Sequence, residues 1–146
     1  MSRVRSSVVF KLATIALATG WAPGPVWARD TIVHIPVQQV LDSADFKSKS
    51  SGMKFRFGGA PVASGLGIIE TSNHTNAFGK SDQEACRWVM ESALLALESK
   101  ARQMGGTAVV NVVSVHKNLE FKSEKEFECH AGSVIAAVGL RGMVVK

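Results

Sequence analysis

A chain of 146 residues builds one hydrophobic core and leaves no room for two. Its formal net charge of +5 falls to about +2 once residues 1–28 are set aside, because Arg3, Arg5 and Lys11 go with them and no acid does. So small and scattered a charge does not predict nucleic-acid binding, and no nucleic-acid partner is expected; no internal repeat or low-complexity segment interrupts the chain.

Residues 1–28 read as a secretory signal peptide. Arg3 and Arg5 give the positive start, Val8 to Gly20 the apolar run, and Val26-Trp27-Ala28 a close match to the small-x-small cleavage pattern. The mature chain is expected to begin at Arg29, with 29–146 forming a single domain. A membrane anchor needs about 18 or more apolar residues; Lys11 and Pro23-Gly24-Pro25 interrupt this one too early. The expected product is periplasmic or secreted, with no integral membrane segment after cleavage and no cysteine at the cleavage site to carry a lipid.

Asp30 to Ile35 predicts a strand stopped by Pro36, and the spacing of Val37, Val40, Leu41 and Ala44 a short helix over 37–46. Met53 to Phe57 alternates as a strand, Gly58 to Gly67 is a glycine-rich loop, and Leu66 to Thr71 is the strand returning from it. Ser81-Asp82-Gln83-Glu84 is a capping box. Behind it Ala85, Cys86, Val89, Ala93, Leu94, Leu97, Ala101 and Met104 lay one apolar stripe along a helix that Gly105-Gly106 closes. Thr107 to His116 is rich in β-branched residues and predicts a strand, a polar turn follows around Ser123, and Glu126 to Val138 returns beside it. The fold class expected is therefore α+β: a mainly antiparallel sheet, one long helix (about 82–104) packed on a C-terminal hairpin, and a short N-terminal helix. Both hairpin faces are apolar, so the second face calls for cover by the N-terminal elements or by another subunit.

In that hairpin register Val115 faces Ala131 and His116 faces His130. The two histidines then form half of a zinc or copper site, and no other cofactor is expected. The register also puts Cys129 with Val113 and Val115 on the helix side, within reach of Cys86 near the helix start. An isolated cysteine pair in an oxidising compartment favours a Cys86–Cys129 disulfide. Gly79-Lys80-Ser81 ends like a phosphate-binding loop, but His74 stands where its first glycine belongs. Gly65-Leu66-Gly67 lacks the third glycine of a dinucleotide fingerprint. Asn73-His74-Thr75 fits a glycosylation acceptor, which matters only in a eukaryotic host. Ser133 and His130 have no orienting acid or oxyanion site, so no catalytic residue is assigned and no enzyme is expected.

The runs Ala101-Arg-Gln-Met-Gly-Gly-Thr-Ala-Val-Val-Asn-Val112 and Cys129-His-Ala-Gly-Ser-Val134 resemble the YbjQ-type heavy-metal-binding domains and the periplasmic RcsF stress-sensor domain, over roughly residues 85–140. Ala85-Cys-Arg-Trp-Val-Met90 with Glu128-Cys-His-Ala-Gly132 is also similar to small exported bacterial proteins often labelled "excinuclease ATPase subunit". The first resemblance implies a ring-forming or envelope protein, the second an ATPase label that the failed phosphate loop argues against. The function expected is an exported, non-enzymatic binding or envelope-stress module working through its sheet face or loop 58–67. Its partner would be an envelope protein or a second copy. The alternative is a metal-binding periplasmic protein using His116 and His130.

Overall fold

The computed structural model describes Gly24 and residues 28–146, so the expected signal peptide lies almost wholly outside the described residues. The elements run β1 (Thr31–Pro36), α1 (Val37–Leu41), α2 (Ala44–Lys49), β2 (Lys54–Phe57), β3 (Gly67–Asn76), α3 (Asp82–Gln103), β4 (Ala108–His116), β5 (Leu119–Phe121), β6 (Glu126–Ala131) and β7 (Ile135–Val145). The helix α3 begins where the capping box requires: the Ser81 hydroxyl accepts from the Glu84 amide at 3.1 Å. Gly105, in the left-handed region at φ 77°, closes it. Ala85, Cys86, Val89, Met90, Ala93, Leu94, Leu97 and Ala101 are fully buried along its stripe. One expected N-terminal helix is two, because Ser43 caps a new start by accepting from the Phe46 amide at 3.2 Å.

The expected fold class needs correction. Strand outweighs helix, 41% to 28%, and the seven strands form one mixed sheet curled into a half-barrel, not a mainly antiparallel sheet under one helix packed on a hairpin. Strand β7 is its axis. Along one edge it pairs with β3 over its whole length, from Gly67↔Val144 to Asn76↔Ile135. The other edge is shared end to end by β4 (Ala108↔Val145 to Ser114↔Leu140) and β6 (His130↔Ala137, Ala131↔Ala136). Strand β1 pairs with β6, β5 with the end of β4, and β2 runs parallel to β4.

Three local causes displace the expected hairpin. Gly132 breaks the return strand, its amide donating to the Ile135 carbonyl at 2.8 Å across a tight turn, so 126–138 is two strands. Lys117 and Asn118, both at positive φ (49° and 64°), form a two-residue turn that gives β4 a different partner, β5. Asn111, at φ 55°, sits in a bulge where the β4–β7 register shifts between Val110 and Val113. Beyond the bulge Val112 joins the core under α3, whereas Val113 pairs with Arg141 on the outer face. Strands β2 and β3 do not pair with each other, so loop 58–67 is not a hairpin loop.

Glu98 is the one buried carboxylate of α3 (5% exposed), and it fastens the 50–51 turn to the helix. It accepts from the Ser50 hydroxyl at 2.7 Å, the Ser51 amide at 2.8 Å and the Ser51 hydroxyl. Burial alone would raise its pKa, but the Ser51 and Ser50 hydroxyls, the Ser51 amide and the Arg102 charge outweigh it, and the carboxyl sits below its ordinary 4.5. A folded-state value below the unfolded one stabilises above pH 4.5, and that stability is lost as pH falls through the folded value. Glu98→Gln should therefore lower stability by ~1–3 kcal/mol at neutral pH. The gap to the wild type should narrow in acid, as denaturant titrations at neutral pH and at pH below 4.5 will measure.

A histidine–carboxylate cluster on the outer sheet face

Strand β6 alternates strictly: Phe127, Cys129 and Ala131 are fully buried, and Glu126, Glu128 and His130 face outward. Cys129 meets Cys86 in a disulfide with Cα atoms 5.8 Å apart. The expected pairing is present, but the expected register is not. Cys129 lies under α3 beside the residues that pair with β1, not with Val113 and Val115, which are outside the core cluster. Closing a loop of 43 residues stabilises by about 4 kcal/mol in the chain-entropy model. The double variant Cys86→Ala, Cys129→Ala is expected to lose most of that, read as a lower denaturation midpoint with a raised m-value, because the unfolded chain is released from its cross-link.

The outward residues of β6 meet the end of β4. There β4 rises over β7 at Gly139: a Cβ on that glycine would stand 2.2 Å from the Val115 carbonyl oxygen, a separation real atoms do not adopt. The crossing and the turn at Lys117-Asn118 set the His116 ring parallel to that of His130, with centroids 3.4 Å apart and planes 12° apart. The Nδ1 of His130 lies 3.0 Å from Asp30 Oδ1, and its Nε2 lies 3.0 Å from Glu128 Oε1. The second Glu128 oxygen is 3.4 Å from His34 Nε2, and the His34 ring stacks on Phe121 of β5 at 4.4 Å. The Nε2 of His116 is shut away from solvent and has no hydrogen-bond partner among the described residues. Burial, then the neighbouring His130 and Lys117 charges, push the His116 pKa down and favour its neutral form.

One ligand atom from each of Asp30, His116 and His130 lies within 4.8 Å of the others. Two imidazole nitrogens and a carboxylate oxygen are a donor set for zinc or copper, and Glu128 is placed to orient His130 from behind. Both expected site residues, His116 and His130, are therefore brought together. Sequence reading found no carboxylate with defensible spacing; the structure supplies two, Asp30 and Glu128, and a third histidine, His34. Glu128-Cys129-His130 carried a signal, since residues two apart on a strand share a face. Asp30, 100 positions from His130, carried none.

The other motifs serve structure. Lys80 donates to the Asn76 carbonyl at 3.0 Å and Ser81 caps α3, so Gly79-Lys80-Ser81 is a helix entry. His74 lies in β3 opposite Ala137, and no hydrogen bond joins Ser133 to His130 among the described residues. No protein-family model, curated protein or solved structure matches this chain.

Gly139→Ala tests the crossing. The added methyl should force β4 off β7, cost ~1–3 kcal/mol, and shift the ring-proton resonances of His116 and His130. The Cys86–Cys129 bond, on the opposite face, should stay intact by non-reducing peptide mapping.

Proposed function

We propose that the protein is a non-enzymatic metal-binding module of an oxidising, extracytoplasmic compartment, holding zinc or copper through His116, His130 and Asp30. One observation carries the reading: a ligand atom from each of Asp30, just ahead of β1, His116 of β4 and His130 of β6 lies within 4.8 Å of the others, and His116 Nε2 is buried without a partner among the described residues. Buried polar atoms are ordinarily paired, and a neutral imidazole with a free lone pair is a metal ligand in waiting. Glu128 holds the Nε2 side of His130, so Nδ1 exchanges its hydrogen bond to Asp30 for the metal that both would ligate, and the stacked His116 ring turns to bring its lone pair to the same ion. The disulfide supports the compartment. No helix among the described residues is long and apolar enough to cross a membrane. The resemblance to heavy-metal-binding domains points the same way. Ile32, paired with His130 and 55% exposed, together with exposed Ile135 gives the rim an apolar border where an envelope partner or a second copy would make contact.

Calorimetric titration of the oxidised chain with zinc and with copper tests the reading. His116→Ala and His130→Ala should each remove binding, and Asp30→Asn should weaken it by roughly 10–100-fold. Undiminished affinity in both histidine variants would sink the proposal.

A further inference from the structure

Removal of the leader, we propose, completes this metal site: cleavage after Ala28 turns the backbone nitrogen of Arg29 into an amine that serves as a further ligand beside Asp30, His116 and His130. The inference rests on the metal-binding reading and on the cleavage position in the sequence.

The chemistry of that nitrogen changes entirely on cleavage. In the uncleaved chain it is an amide, its lone pair drawn into the peptide bond, and it has nothing to donate to a cation. Hydrolysis of the Ala28–Arg29 peptide bond leaves a carboxylate on the departing leader and an amine on Arg29, and that amine, giving up its proton to solvent as the metal binds, is a nitrogen donor suited to zinc and copper. Three protein ligands become four, the number that closes a tetrahedral zinc site.

The fold holds this residue at the site. Ala28, Arg29 and Asp30 line the same open groove, about 530 Å³, as His116 and His130. Asp30 touches His130 directly. Arg29 is tied down on two sides. Its guanidinium grips Asp82 at the start of α3, with Nη2 2.6 Å from Oδ1 and Nη1 3.3 Å from Oδ2, and Nη2 also donates to the Gly132 carbonyl at 3.2 Å. Its own carbonyl lies against Gly132, where a Cβ would stand only 3.2 Å away. An exposed terminal residue has no general reason to be anchored this way; a terminal ligand has. Among the described residues all the strands and helices lie between Thr31 and Val145, so a chain that begins at Arg29 keeps every one of them.

The consequence is control of loading by processing. The precursor, with Arg29 still in peptide linkage to Ala28, offers three ligands, and the exported chain offers four. Metal capture is thereby weak before export and strong after it.

Two oxidised forms decide the matter, one beginning at Arg29 and one retaining Ala28, each titrated with zinc and with copper ions. The extra residue carries the amine one position away, ~3.8 Å along the backbone. The form beginning at Arg29 is expected to bind ~10-fold or more tightly than the longer one, and its copper spectrum by electron paramagnetic resonance should show one more coupled nitrogen. Arg29→Ala, which frees the terminus from Asp82 and Gly132, should erase most of the difference. Equal affinities with identical nitrogen coupling in the two forms would overturn the amine ligand while leaving histidine-dependent binding standing. Binding by neither form, or binding indifferent to His116→Ala, would overturn the metal site and this proposal together.

Discussion

The Cys86–Cys129 bond is the constraint on which the rest of the structure leans. Strand β6 is poorly supported by ladder pairing: it meets β7 at only two residues, His130 and Ala131, and otherwise pairs with β1, itself at the sheet margin. A strand held so lightly would fray, since local stability follows local contacts. The disulfide joins its middle to the buried stripe of the longest helix. Because side chains alternate, pinning Cys129 inward also fixes Glu128 and His130 outward. The covalent anchor on one face therefore sets the position of the polar cluster on the other. The residue that stabilises and the residues that bind are neighbours in sequence with opposite directions.

The cluster exists because the sheet curls. Strands β4 and β6 compete for one edge of β7, and neither occupies it all. Where they meet, β4 leaves the ladder and climbs over Gly139, and Ser114 takes up the slack by accepting from the Glu128 amide at 2.9 Å. A flat sheet would have placed His116 and His130 in register within one plane, side by side. The climb places them face to face instead, and both line a groove that Arg29 and Asp30 also line. A half-barrel seam, where backbone pairing is interrupted, is where side chains gain room to converge.

This also explains what could be read beforehand. Helix α3 was legible because its signals are local: a cap at Ser81, a stripe of period three and four, a glycine at position 105. The cysteine pair and the histidine pair were legible for a weaker reason. Both were inferred from a hairpin that does not exist, and both survive because they lie near the same end of the unit. Cys129 lies on the helix side because β6 alternates Phe127, Cys129 and Ala131 inward along its ladder with β1. Asn tolerates left-handed backbone, so an asparagine inside Val-Val-Asn-Val-Val was a legible bulge signal. The parallel pairing of β2 with β4 and the arrival of Asp30 beside His130 were not legible. Both depend on contacts between residues far apart in the chain, and nothing in a short window encodes them.

The metal-free cluster is itself balanced, and the balance bears on how a cation would enter. Both His130 ring nitrogens face carboxylates, Asp30 and Glu128, each at 3.0 Å. The stacked His116 ring, its centroid 3.4 Å away, is pushed towards its neutral form by burial first and by the neighbouring His130 second. The two rings thus divide the work: one satisfies the carboxylates, and the other keeps its lone pair. A cation ligated by His130 Nδ1 would replace the hydrogen bond to Asp30 and take Asp30 as an anionic ligand, and because an imidazole donates in its ring plane the stacked His116 ring would have to turn to share that cation. Glu128, bonded also to His34, stays behind to hold the ring. Entry of zinc or copper therefore exchanges one hydrogen bond and one ring stack for metal bonds, and what stays fixed is Glu128 with His34 and the β6 backbone behind them.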